Sequence, residues 1–202
     1  QALKNSGYEG KAENRINPSK TQGLIELHIE QGPVLEEGGF DIGVVKGVVG
    51  MINYEFTFKG QADHAGTFPM PYRKDALLAA SQALLYLHQE FDKLGDKDLV
   101  YTTGKISCHP DIHTIVPDEV KFTLDARHAD PEVLAKCVSI IKNMPSDWAN
   151  CKMTYETAWT RETVLFNQGL VADVQKASDA LGYKSHVMYS GAGHDAQYMS
   201  EI

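Results

Sequence analysis

Ile52-Asn53-Tyr54-Glu55-Phe56-Thr57-Phe58 is the stretch that decides the fold. Its apolar side chains stand at every second position, with Asn53, Glu55 and Thr57 between them. Successive side chains of a strand point to opposite faces, so this pattern is a half-buried strand with one wet face. Downstream, Leu77, Ala80, Leu84, Leu87, Phe91 and Leu94 recur at steps of three and four, which predicts an amphipathic helix stopped by Gly95. Leu99 to Ser107, rich in Val, Tyr and Thr, reads as a second strand. Val120, Phe122, Leu124 and Ala126 alternate with polar residues and predict a third. Asp130-Pro131-Glu132 opens another helix, with a carboxylate cap, Pro at the first helical position and an acid near the positive dipole end. That helix runs through Leu134, Val138 and Ile141, and Lys152 to Trp159 makes a last strand. The order is β-α-β-β-α-β, the ferredoxin-like pattern, with helices on one face of a four-stranded antiparallel sheet.

Working outward, Ile25, Leu27 and Ile29 alternate with Glu26, His28 and Glu30, which predicts a strand ended by Gly32-Pro33. The polar stretch up to Thr21 reads as a loop or loose arm. On the other side, Leu170, Val174, Ala177 and Leu181 predict a helix closed by Gly182. Ser185 to Tyr189 reads as a strand that feeds into Ser190-Gly191-Ala192-Gly193-His194-Asp195-Ala196. One strand before, and a helix plus a strand after, cannot bury a core. The expected architecture is therefore α+β: a ferredoxin-like domain, residues 47–160, inserted into an incomplete α/β domain represented by residues 1–46 and 161–202. Gln1-Ala2-Leu3-Lys4 shows no signal-peptide core and no initiator Met, and reads as a cut end.

The 202 residues carry 19 basic and 27 acidic side chains, a net charge of -8. An acidic balance without clustered Lys and Arg argues against nucleic acid and anionic membrane as partners. No apolar run approaches the length of a membrane span. Cys108, Cys137 and Cys151 are an odd, widely spaced set with no CxxC, the pattern of unpaired thiols in a reducing cytoplasm. Zinc binding or nucleophilic catalysis by these thiols is the lesser alternative.

Single residues carry weaker signals than their combination. His28 lies between Glu26 and Glu30 on one polar face, good divalent-metal chemistry, although one His on a strand is more often a plain surface or core residue. His64 sits in Gly60-Gln61-Ala62-Asp63-His64-Ala65-Gly66-Thr67, where small neighbours allow close approach; alone it reads as a polar turn residue. His194 lies in a Gly-rich loop after a strand, a place where function concentrates. That loop has neither GxGxxG nor GK[ST], which argues against a phosphate cradle. Arg127 ends its strand on the polar face, placed to grip a carboxylate or simply to pair with Asp125.

Four motifs in order carry more: His28-Ile29-Glu30-Gln31-Gly32-Pro33; Gly60 to Thr67 with Arg73-Lys74-Asp75-Ala76; Phe122-Thr123-Leu124-Asp125-Ala126-Arg127-His128; and Ser190 to Ala196. Together they resemble the N-carbamoyl-L-amino acid hydrolase, allantoate amidohydrolase and yeast-type β-ureidopropionase family of di-metal hydrolases. The resemblance covers nearly the whole chain from about Leu24. It implies an α/β zinc-peptidase-like catalytic domain interrupted by a ferredoxin-like lid that also forms a homodimer. It implies that His28 is a metal ligand, that Gln31, Thr114 and Arg127 hold the substrate, Arg127 by its carboxylate, and that His64 and His194 are catalytic. His64 would reach the partner subunit's active site, and His194 would lie near the scissile amide. It also implies two divalent ions, Zn2+ or Mn2+, and a small ureido substrate hydrolysed to amine, ammonia and carbon dioxide. Two positions depart from the family pattern: Thr114 replaces an Asn that touches substrate, and Phe68 stands where Thr is usual. An upstream His-x-Asp ligand, a bridging Asp, an upstream Glu-Glu pair and a final downstream His do not occur here. The expectation is a lid with flanking active-site segments, inactive alone and holding no metal stably. The alternatives are an aminoacylase or dipeptidase of the same clan, and a non-catalytic ferredoxin-like module that binds a ligand or a partner.

Overall fold

The computed structural model describes residues 1–7, 10 and 16–200. Part of the arm expected before Thr21 lies outside these residues; within them, Ala2–Asn5 form a short helix, α1, and Pro18–Lys20 a single 3-10 turn. Then follow α2 (Val34–Gly38), β1 (Ile42–Val48), β2 (Gly50–Lys59), β3 (Asp63–His64) and α3 (Ala76–Asp92). The middle holds β4 (Val100–Thr102), β5 (Ile106–His109), β6 (Ile115–Val116), β7 (Glu119–His128) and α4 (Pro131–Lys142). The chain finishes with β8 (Asp147–Trp148), β9 (Cys151–Arg161), β10 (Val164–Leu165), α5 (Gln168–Ala180), β11 (Ser185–Ser190) and α6 (Asp195–Met199). These elements gather into two compact units, residues 48–164 and residues 1–47 with 165–202.

In unit 48–164 the sheet runs β4-β7-β2-β9-β8, with β5 also paired to β7. β2 is antiparallel to both long neighbours, with Phe56 opposite Phe122 on one side and Tyr155 on the other. The alternation of β2 and β7 sends Tyr54, Phe56, Phe58, Phe122 and Leu124 into the core. Phe56 and Phe58 stack on Phe122 at centroid distances of 5.0 and 5.6 Å, the offset arrangement aromatic rings prefer. The strand expected from Leu99 to Ser107 is two short strands, both pairing β7, with Gly104 between them.

Both helices start as their sequences dictate. Asp75 accepts the backbone N–H groups of Leu77 and Leu78 at 3.0 and 3.1 Å, and Asp130 that of Glu132 at 2.8 Å. α3 buries Ala76, Ala79, Ala80, Ala83, Leu87 and Phe91. This corrects the expected stripe: Leu77 is exposed, and Leu84 and Leu94 are only partly covered. Four alanines let the helix lie close to the sheet, so the buried line is rotated toward them. Beyond α3, Gly95 takes φ +65°, the left-handed geometry that suits glycine at a helix end.

Unit 1–47 with 165–202 is differently furnished. β10, β1 and β11 form a three-stranded sheet, with α5 beside β11. The strand expected from Leu24 to Gln31 is not formed: residues 21–30 have no ladder partner. Ile25, Leu27 and Ile29 are 70%, 96% and 75% exposed. Their alternation is intact, but no strand among the described residues pairs with them to complete a ladder. Val44 is this unit's only fully buried apolar residue among those described.

Candidate active site

Glu26, His28 and His194 converge within the second unit. Their ligand-type atoms all lie within 4.8 Å of one another. The His28 and His194 rings meet edge to face at a centroid distance of 4.4 Å. His194 ends the loop after β11 and precedes α6; Glu26 and His28 lie on the extended segment. Glu26 Oε2 accepts the Ala196 backbone N–H at 2.8 Å, which ties that segment to the start of α6, and Oε1 lies 4.0 Å from His194 Nδ1. His194 Nε2 is 2.5 Å from Ser190 Oγ. His28 Nδ1 lies 2.6 Å from the Ile29 carbonyl oxygen, an acceptor only, so Nδ1 carries the proton and Nε2 presents a lone pair.

Two imidazoles and a carboxylate are a donor set that suits zinc and related divalent ions. Donor atoms on a single tetrahedral ion stand roughly 3.3–3.6 Å apart for bonds of about 2.0–2.2 Å, so the trio fits after a small contraction. Glu30 does not join it. Its carboxylate accepts the N–H groups of Val34 and Leu35 at 2.7 and 3.0 Å and caps α2. This corrects the expected shared face of Glu26, His28 and Glu30: the backbone kinks at Gln31, whose φ is +57°. Gln31 itself is exposed. Beside the trio, an open cleft of about 660 Å3 is lined by His28, His194, Leu24, Ile42, Phe166 and Leu170.

The other named residues belong to unit 48–164. β3 pairs with β6, His64 opposite Ile115, and the Ala65 N–H donates to the Thr114 carbonyl at 2.8 Å. This small ladder puts His64 opposite Ile115 and Ala65 against Thr114, and both His64 and Thr114 are exposed. His64 Nδ1 accepts the N–H groups of Gly66 and Thr67 at 3.0 and 3.2 Å. A Cβ on Gly66 would stand 3.3 Å from the His64 ring, so the missing side chain leaves room for the imidazole. Arg127 binds Asp125 through Nε and Nη2 at 2.7 and 3.2 Å, so the plain pairing weighed from sequence is present and fixes the guanidinium plane.

The sequence reading sets both Glu26 and Glu30 beside His28 as metal chemistry without singling out Glu26; the structure keeps Glu26 at the site and turns Glu30 to α2. Sequence reasoning missed Ser190 as the partner of His194; a serine at a strand end, next to glycines, carries no distinguishing mark. It also gave Arg73 no role. All three cysteines are unpaired, and burial pushes every one of their thiols up, Cys137 to about 11, which leaves them poor nucleophiles. No helix among the described residues is long and apolar enough to cross a membrane.

The chain is 38% identical over 177 residues to an allantoate amidohydrolase of Escherichia coli, a match covering 86% of this chain and 43% of that protein. It is 33% identical to an N-carbamoyl-L-amino acid amidohydrolase of Geobacillus stearothermophilus, covering 92% of this chain and 46% of the relative. A hydantoinase/carbamoylase family amidase of Burkholderia vietnamiensis superposes with a TM-score of 0.83 at 36% identity, covering 99% of this chain and 48% of that one. The chain thus spans about half the length of the relatives it matches. Residues 7–202, which include both histidines of the candidate metal site and His64, match Peptidase family M20/M25/M40, and the chain belongs to that family.

Proposed function

We propose that this chain is part of a metal-dependent amidohydrolase that cleaves the ureido C–N bond of N-carbamoyl-L-amino acids or allantoate. The observation that carries the reading is the meeting of His28 and His194, 166 positions apart in sequence, beside Glu26 and an open cleft. The activities named for the relatives supply the reaction class. Residues 1–46 and 161–202 are read as catalytic-domain segments. Residues 47–160 are read as an inserted ferredoxin-like lid, supported by the β9-β2-β7-β4 sheet order with two helices packed on it. The lid is the region that forms a homodimer; the exposed Leu77, Leu78 and Leu85 on α3 and Ile106 on β5 support this. The unpaired thiols favour a cytoplasmic setting.

Glu26, His28 and His194 would hold one divalent ion, zinc or manganese, of the two the complete enzyme uses. When bound, such ions supply an activated water nucleophile and Lewis acidity. The chain's own residues do the rest. Arg127, held in plane by Asp125, grips the substrate carboxylate and orients it. Gln31 and Thr114 add polar contacts. His64 donates to the oxygen on which negative charge develops, and His194 lies near the scissile bond as a ligand of the ion. Gln31 and His64 each have an exposed position from which to meet a small ligand.

The 202-residue chain alone is read as inactive, because three ligands and a nearly coreless catalytic segment leave the centre unfinished. The test is ammonia release from N-carbamoyl-L-amino acids and allantoate with Zn2+ or Mn2+ added, for this chain and for its full reading frame. Activity is expected only in the longer protein, and it should vanish in His28→Ala. Turnover by the 202-residue chain would refute the incomplete-centre reading. Faster cleavage of N-acyl than N-carbamoyl substrates by the longer protein would replace the ureido assignment.

A further inference from the structure

We propose that Arg73 is the positioning residue for His64: it staples the turn after β3 so that His64 keeps its proton on Nε2 and presents that N–H outward. The inference rests on the reading of His64 as a hydrogen-bond donor to substrate. Arg73 lies nine positions away, after a 3-10 turn at Met70–Tyr72, and is half-buried. Its Nη2 donates to the Ala65 carbonyl at 2.5 Å and to the Phe68 carbonyl at 3.0 Å, and its Nε to Phe68 at 3.1 Å. The Phe68 N–H closes the same turn on the His64 carbonyl at 3.2 Å. One guanidinium therefore spans the turn that carries the imidazole.

The Ala65 carbonyl and the Gly66 N–H are the two ends of one peptide group. A trans peptide is planar, and its C=O and N–H point in opposite directions. Arg73 holds the oxygen end while the hydrogen end points at His64 Nδ1, 3.0 Å away. Fixing the oxygen fixes the direction of the N–H. A cation on the oxygen also polarises the group and strengthens the N–H as a donor. A second backbone N–H, from Thr67, reaches the same Nδ1 at 3.2 Å. A ring nitrogen that accepts two backbone N–H groups cannot itself carry the proton of neutral imidazole, so that proton resides on Nε2. His64 is exposed in a solvent-facing ladder and would otherwise exchange tautomers and rotamers freely; the turn supplies what burial does not. Arginine suits the task because its planar fork reaches two carbonyls at once, which a lysine ammonium cannot do in the same fixed geometry.

The tautomer is read directly by long-range 1H–15N correlation on 15N-histidine-labelled chain near neutral pH and above, with His64→Gln identifying the His64 signals. Wild type should show a single Nε2–H form with Nδ1 as pure acceptor. Arg73→Ala and Arg73→Lys, with circular dichroism and melting confirming the fold, should both move the two nitrogen shifts toward the average of an exchanging pair, Lys less than Ala. Should Arg73→Ala fail to fold, Arg73→Lys decides. A folded variant with an unchanged His64 spectrum overturns the proposal, as does a wild type already averaged between tautomers. Because no substrate is present, this outcome is separate from the fate of the ureido reading, which the ammonia assay decides.

Discussion

Cys137 sits in the core with no exposed surface, and burial pushes its thiol up to about 11. The unfolded thiol titrates near 9.0. Below that pH the group is protonated in both states and costs nothing. As pH rises through the window from about 9 to about 11, the unfolded chain loses the proton first and folding stability falls. Tyr101, raised to about 12 by burial and by its hydrogen bond to Asp92, extends the loss upward. Urea midpoints at about pH 8 and about pH 10.5 should therefore separate more for wild type than for Cys137→Ala; equal separations would assign the alkaline loss to other groups. Arg127 offers a test at the same scale. In the longer protein, Arg127→Ala should lower kcat/KM roughly 30-fold for carboxylate-bearing substrates, the equivalent of about 2 kcal/mol for a charged hydrogen bond. Unchanged steady-state kinetics would take Arg127 out of the site.

At the scale of elements, the helix starts are the features most directly written in local chemistry. Asp75 and Asp130 each satisfy backbone N–H groups that no helical carbonyl can reach. Asp130→Ala and Asp75→Ala should each cost about 1 kcal/mol of stability, seen as a lowered midpoint in chemical denaturation. A loss below a few tenths for either would mean that water replaces the cap. The strands show the opposite dependence. β2 and β7 form because each alternating segment finds an alternating neighbour, residue against residue from Gly50 and His128 to Lys59 and Glu119. Leu24 to Glu30 has the same period and no neighbour, and it stays outside any sheet.

For the whole molecule, the two units have unequal cores. Residues 48–164 hold a continuous cluster that includes Phe56, Phe58, Phe91, Phe122 and Ile141, whereas the flanking unit buries Val44 alone among its described apolar residues. Deleting a central aromatic should cost about 3–5 kcal/mol. Phe122→Ala should lower the later of two denaturation transitions and leave the earlier one, from the flanking unit, in place. A single transition that shifts as a whole would mean that the two units unfold as one.

What the residues determine unaided is periodicity and local chemistry: the strand at Ile52–Phe58, both capped helices, the glycine stop at Gly95, and the four motifs that carry His28, His64, Arg127 and His194. Each follows from side chains within one or two turns of one another, so no distant partner is needed to read it. Tertiary structure alone decided which periodic segments became sheet, which face of α3 turned inward, that Glu30 caps α2 while Glu26 joins the two histidines, and that Arg73 holds the His64 turn. Those outcomes depend on what lies beside a residue after the chain has folded back, and neither hydrophobic period nor motif spacing encodes a neighbour that is far away in sequence.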